Sequence, residues 1–222
     1  MESATSTKSS SWTKIFKTDT ILNQEQSLQF IRKFTAVGIS SILYLRSSLP
    51  EDNFDLFPLD NIKVSMLVEK SPMTKEICKG VKNALKAIKP GYLRQLDLVF
   101  HPNGESKDVL ESHSFRYDYM GDNNENVGSP NGDKEIDKEV KFATWKLYKK
   151  LSSYCQMFPE LPSNATINIR LLYTDSTPDD YQPPGFTALS PRSLSLTFSG
   201  DPSSYDCGSV QTRYHKAQFR IK

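Results

Sequence analysis

One stretch does most to limit the fold: NQEQSLQFIRKFTAVGISSILYLRS, residues 23–47. Leu28, Ile31, Phe34, Val37 or Gly38, Ile42 and Leu45 recur at steps of three and four, the period of a helix face. Phe30 and Ala36 widen that face until the helix is apolar over most of its girth. Such a helix is stable only inside a core, so other elements must surround it. Asn23 is the expected N-cap, with Gln26 three residues on. Gly38 costs about 1 kcal/mol against Ala in a helix interior, a cost that makes sense where another element packs close.

The rest of the chain supplies those elements. FDLFPLDNIKVSMLVE reads as two short strands. Ser71 caps a second helix with Pro72 at its first position, a stripe of Ile77, Val81, Leu85 and Ile88, and a stop at Pro90-Gly91. YLRQLDLVFHP alternates with Leu96, Leu98 and Phe100 on one face and Leu93, Gln95, Asp97 and Val99 on the other. HSFRYDYM alternates as well, and the two runs read as an antiparallel pair. GDNNENVGSPNGDKE has no periodicity and reads as a flexible loop. A third helix starts near Asp133 with Ile136, Val140, Ala143, Leu147, Leu151 and Tyr154 on its core side, and Trp145, Tyr148 and several lysines mostly elsewhere. ATINIRLLY follows as a strand with Ile167, Ile169 and Leu171 inward. SLSLTF, a turn at Gly200-Asp201-Pro202, and VQTRYHKAQFRIK close the chain. This order predicts an α+β fold, a three-helix layer packed on an antiparallel sheet.

Composition narrows the function. Of 222 residues, 37% are hydrophobic and 24% charged, and the net charge of +2 gives no global field for nucleic acid. No apolar run nears the roughly 18 residues of a membrane span, so no membrane partner is expected. Cys78, Cys155 and Cys207 lack zinc or disulfide spacing and read as reduced structural thiols. His101, His113 and His215 make no catalytic metal site. Asp179 and Asp180 are adjacent on an extended segment and point opposite ways, which makes a poor acid/base pair. No phosphate-binding loop follows a strand. The expectation is a protein with no catalytic residues, no metal and no cofactor. Lysines 146, 149 and 150 leave open direct contact with chromatin DNA, which steep salt dependence would reveal.

LLYTDSTPDDYQPPGF, residues 171–186, sets a different problem. Pro178, Pro183, Pro184 and Gly185 cannot continue a helix or a central strand. Strand-like alternation nevertheless returns after them, so an extended segment must cross the surface and come back.

VGISSILYLRSSLPEDNF resembles the first-helix signature of HORMA domains, a family that includes the spindle-checkpoint protein, the small subunit of the translesion polymerase and the meiotic chromosome-axis proteins. YLRQLDLVF, FRYDY, the third helix and LLYTD match the rest of that core in order. TPDDYQPPGF is most similar to the meiotic branch, and GSVQTRYHKAQFRIK to the closing strand with its His-Lys pair. The resemblance spans roughly residues 22–222 and divides the chain into a flexible tail (1–21), a core (22–173) and a C-terminal safety belt with closing strands (174–222).

The resemblance implies a nuclear adaptor on meiotic chromosomes. It would capture closure-motif peptides of axis proteins or related HORMA proteins under the belt, supporting axis assembly, pairing, synapsis and recombination control. A checkpoint-like or polymerase-type adaptor is the alternative. An exposed strand edge can receive such a peptide, and His113, Ser114, Phe115, Arg116, Tyr117, Asp118 and Tyr119 are the expected receiving strand. Tyr181, Pro183, Pro184, Gly185 and Phe186 are the expected belt residues, with Tyr181 and Phe186 as apolar anchors. An AAA+ remodelling ATPase would open the belt by pulling the N-terminal tail, with Trp12, Ile15 and Phe16 as grips. Meiotic members usually continue into a tail carrying their own closure motif, whereas this sequence stops at Lys222, which leaves self-closure and head-to-tail assembly open.

Overall fold

A computed structural model describes residues 11–17, 20–21, 23–102, 108–120, 130–188, 197–198 and 203–222. In chain order the elements are α1 (Ser11–Phe16), α2 (Gln24–Leu45), a 3-10 turn (Glu51–Asn53), β1 (Phe54–Leu59), β2 (Ile62–Leu67) and α3 (Pro72–Lys86). Next come β3 (Leu93–His101), β4 (Asp108–Val109), β5 (Glu111–Tyr119), α4 (Pro130–Cys155), β6 (Thr166–Tyr173), β7 (Thr197–Phe198), β8 (Tyr205–Gln211) and β9 (His215–Ile221).

The sequence signals for the helix starts are realised atom by atom. The Asn23 side chain accepts from the Gln26 backbone N–H at 2.9 Å, satisfying a donor that the first turn otherwise leaves unpaired. Ser71 and Thr74 form a reciprocal capping box, with Pro72 at the first helical position. α2 is enclosed as its composition requires, with Phe30, Ile31, Phe34, Ile39, Ile42 and Leu43 all fully buried. Gly38 has the expected role. A Cβ there would lie 2.8 Å from Cζ of Phe115, so the absence of a side chain lets β5 press its aromatic ring against the helix.

Five strands form one sheet in the order β6-β3-β5-β9-β8. All of its pairings are antiparallel. β1 and β2 form a separate hairpin whose turn includes Asp60 at φ 52°. β4 and β7 form a short parallel pair, Asp108 opposite Thr197.

Several details depart from the sequence reading. A β-bulge between Leu93 and Gln95 breaks the alternation of β3, and Leu93 is fully buried in the same core as Leu96, Leu98 and Phe100. Tyr148 of α4 is also core, since its hydroxyl donates to the Phe34 carbonyl at 2.6 Å and its ring lies 5.5 Å from that of Phe34. α4 begins at Pro130, three residues before Asp133. GSVQTRYHKAQFRIK is not one strand: it contains the end of β8, a turn and β9. The start of SLSLTF, the turn at 200–202 and most of the polar loop lie outside the described residues.

The largest departure is at the N-terminus. Trp12, Ile15 and Phe16, expected on a flexible tail, sit in α1 at 8%, 0% and 2% exposure. Trp12 stacks on Phe30 of α2 and Phe16 packs tilted against the same ring, with centroids at 5.8 and 5.5 Å. Their i, i+3, i+4 spacing puts all three on one helix face, and the burial of that face fixes the segment.

Candidate functional site

The sheet order decides where an extended ligand could add. β5, the expected receiving strand, is interior: Phe115 pairs with Leu96 of β3 on one side and Phe219 of β9 on the other. His113 through Tyr119 therefore offer no free edge in this structure, which corrects the expectation drawn from the sequence. The pairing partner β9 is some hundred residues away in the chain, too far for local patterning to reveal it.

The outer strands are β6 and β8. β8 is covered by α4, with Tyr205 packed 5.0 Å from Tyr154 and 5.8 Å from Phe158. Cys207 and Val210 of β8 are buried. β6 is different. Its residues are half-buried or exposed throughout, Leu172 is 40% exposed, and no strand lies on its outer side among the described residues. Its outward amides and carbonyls are a template for another strand.

The segment expected to form the belt starts where β6 ends. Thr174 donates its backbone N–H to the Tyr92 carbonyl at 2.8 Å and its hydroxyl to the Gly91 carbonyl at 3.0 Å. Thr177 Oγ1 also donates to the Tyr92 carbonyl, at 3.2 Å. Arg94 pairs with Asp175 at 2.9 Å on the surface, a contact of small energetic weight.

Beyond this root, the expected belt residues fall together on one surface. The Tyr181 ring meets Tyr92 at 5.0 Å and Tyr173 at 5.6 Å, both edge-on. Burial, and secondarily Tyr181, pushes the Tyr173 phenol up to about 12. Pro183 is buried, and Tyr181 and Phe186 pack half-buried against the core. The sequence Pro183-Pro184-Gly185-Phe186 forms a turn. Phe186 N–H donates to the Pro183 carbonyl at 3.1 Å, and Gly185 adopts φ 87°. Pro at the second and Gly at the third position suit a type II turn, whose third residue requires positive φ. Asn83 of α3 donates to the Pro184 carbonyl at 3.0 Å, and Gln182 Nε2 contacts the Phe186 carbonyl.

The belt rejoins the sheet at its opposite end. Tyr173 faces Leu93, whereas Thr166 faces His101. The described residues that follow Ala188, Thr197 and Phe198, pair with Asp108 and Val109 just beyond that second end. Phe198 also lies under Lys222 Nζ, 4.8 Å from its ring centroid. The segment thus leaves at one end of β6 and returns at the other.

The returning hairpin is locked by a buried polar cluster that the sequence reading missed. Ser27 Oγ lies 2.6 Å from Thr212 Oγ1 and 2.6 Å from His215 Nδ1. Thr212 Oγ1 also accepts the His215 backbone N–H at 3.0 Å. Burial, helped by the charge of Arg32, lowers the His215 pKa. The neutral ring therefore ties the β8–β9 turn to the first turn of α2. Ser27 lies in a polar first turn between Gln26 and Leu28, so the sequence around it carries no signal of the cluster.

The remaining polar residues are structural. His101 Nδ1 contacts the Asp108 carbonyl at 2.8 Å, and His113 lies between Phe100 and Phe219. Asp179 and Asp180 are exposed. The three cysteines are free thiols, and burial pushes Cys155 up to about 12 and Cys207 higher. Among the described residues no cluster could hold a metal ion, and no helix is long and apolar enough to cross a membrane.

An α+β core with a C-terminal segment that departs from a free edge strand and returns as a hairpin is the arrangement of a HORMA domain. The family profile described as HORMA domain matches residues 27–215, and the chain belongs to that family. HORMA domain-containing protein 2 of Bos taurus is 31% identical over 90% of this chain and 68% of its own length. HORMA domain-containing protein 1 of Mus musculus is 30% identical over 91% of this chain, which spans about half (53%) of that relative. Among solved structures, C. elegans HTP-2 bound to the HIM-3 closure motif aligns with a TM-score of 0.82 at 21% identity, covering 96% of both chains.

Proposed function

We propose that this domain is a meiotic chromosome-axis adaptor that captures a short closure-motif peptide, and that the peptide pairs with the outer edge of β6 beneath residues 174–198. The open edge of β6, bracketed by the two ends of the belt, is the observation that carries the reading. A peptide added there completes the backbone hydrogen bonds that β6 leaves unmade, and its side chains alternate between the core and the belt. The similarity to HTP-2 in its closure-motif complex supports the same mode. Peptides from axis proteins or related HORMA proteins are the proposed partners, on nuclear chromosomes.

Dissociation is slow in this arrangement because it requires the belt to open. The belt is held by few groups: the Thr174–Thr177 root, the Tyr92/Tyr173/Tyr181 cluster, buried Pro183 and the Asn83 bond. A segment with few buried contacts opens far more readily than the core. An AAA+ ATPase that pulls the N-terminus would first have to extract Trp12, Ile15 and Phe16 from their sites against Phe30. The three residues are then an internal plug whose removal loosens α2, rather than a loose handle.

The test is fluorescence anisotropy with peptides tiled across axis proteins. One short segment is expected to bind and to leave over minutes or longer. Tyr181→Ala with Phe186→Ala should speed its release at least tenfold. Unchanged capture by that double variant, or by a chain lacking 174–222, would overturn the reading.

A further inference from the structure

A second surface lies away from the belt, where α4 passes α1 and the β1–β2 turn. Phe142, 62% exposed, and Trp145 stand side by side on α4 with ring centroids 5.8 Å apart. They wall a groove of about 640 Å³ that has Trp12 and Leu59 on its other side and Asp60 and Asn61 at its end. The groove is held in shape. Trp145 Nε1 donates to Asn61 Oδ1 at 3.0 Å, which fixes the indole and leaves one of its faces to Lys149, whose Nζ lies 5.0 Å from the ring centroid. Lys141 Nζ sits 5.6 Å from the Trp12 ring in the same way.

The charge on the exposed side of α4 beside the groove is mostly basic. Lys138 and Lys146 are exposed four residues either side of Phe142, and Lys141 and Lys149 complete the row. None of these four lysines is in an ion pair among the described residues, although Asp137 and Glu139 flank Lys138 on α4 and Asp60 lines the groove. An exposed large aromatic in a shaped, apolar groove is unusual for a surface without a partner, and unpaired ammonium groups over aromatic faces favour carboxylates beside an apolar anchor.

We propose that this groove binds a short acidic segment of another protein, with one aromatic or aliphatic anchor seated between Phe142, Trp145 and Trp12 and flanking carboxylates on Lys138, Lys141, Lys146 and Lys149. A second copy of this chain is disfavoured by its own charge, since two such basic faces repel. Duplex DNA would meet the lysines but leave the aromatic groove empty. The site is independent of the belt.

A random peptide library displayed on phage and panned against the whole chain tests the assignment, followed by anisotropy with the most enriched peptide. The enriched peptides should carry an apolar anchor flanked by Asp and Glu. Affinity should fall at least tenfold in Phe142→Glu, which is exposed enough to leave folding intact, and severalfold in the Lys146→Gln, Lys149→Gln pair. It should also weaken as salt rises. Capture of closure-motif peptides should be unaffected in both variants. The proposal is overturned if the selected peptides are not acidic, or if Phe142→Glu binds them equally well. It is also overturned if Phe142→Glu abolishes self-association of the wild-type chain, or if duplex DNA binds in place of any peptide.

Discussion

The two outer strands of the sheet occupy equivalent positions in different surroundings. β8 lies against α4, buries Cys207 and Val210, and joins β9 through a turn tied to α2 by Ser27, Thr212 and His215. β6 has no such cover, and the segment that follows it is held by a few hydrogen bonds, buried Pro183 and the contacts of Tyr181 with Tyr92 and Tyr173. The helix over β8 and the bare outer side of β6 favour the proposed addition of a peptide at β6. On that proposal, the weakly held segment after β6 is the part that opens without unfolding the domain.

The sealed side gives the largest expected effect. Arg46 ends α2 with Nε 2.8 Å from Glu111 Oε1 and its other nitrogens on the Cys155 carbonyl (3.1 Å) and the Pro159 carbonyl (2.5 Å). This anchors the end of α4 that covers β8. Burial alone would raise the Glu111 pKa, but His113 and Arg46, which face it, more than offset burial and leave it lowered. Arg46→Ala strands a buried carboxylate and should cost about 3–5 kcal/mol in chemical denaturation. An equal loss from Arg94→Ala, whose partner Asp175 is exposed, would break the contrast.

His215→Ala should cost about 1–3 kcal/mol, because Ser27 and Thr212 lose a buried partner. The pH dependence has a definite sign. The folded chain keeps His215 neutral below its ordinary 6.5, so the unfolded chain takes up the proton first. The stabilisation is therefore present above about pH 6.5 and is lost as pH falls below it toward the folded pKa. Hydrogen exchange should show β8 and β9 loosening in that range, and the variant should lack this part of the pH response.

Part of this contrast is legible from sequence and part is not. The enclosed α2, the Gly38 contact, the β3–β5 pair and the break in regular structure between Pro178 and Gly185 follow from short-range signals: period, capping residues and prolines. What escaped depends on distant partners. β9 displaced β5 from the edge because Phe219 and Phe115 meet across a hundred residues of chain. α1 became structured because Phe30 and α4 offer its Trp12 a surface. Its six residues carry too little helix propensity to be called a helix alone.

The smaller effects belong to the belt. Gly185→Ala puts a Cβ at φ 87° and should cost about 1 kcal/mol of belt closure, read as a severalfold faster release of bound peptide with little change in Tm. Asn83→Ala removes one partly buried bond and should cost about 0.5–1 kcal/mol in the same assay. Loss of global stability in either variant would mean that the belt is part of the core rather than a separate, weaker unit.

The most direct measurement is amide hydrogen exchange at residue resolution, with and without a bound closure-motif peptide. If β6 receives the peptide, alternate amides between Thr166 and Tyr173, those pointing away from β3, gain protection on binding, and residues 174–186 gain it with them. Protection appearing on β8, or on β5 with release of β9, would contradict the assignment of the open edge.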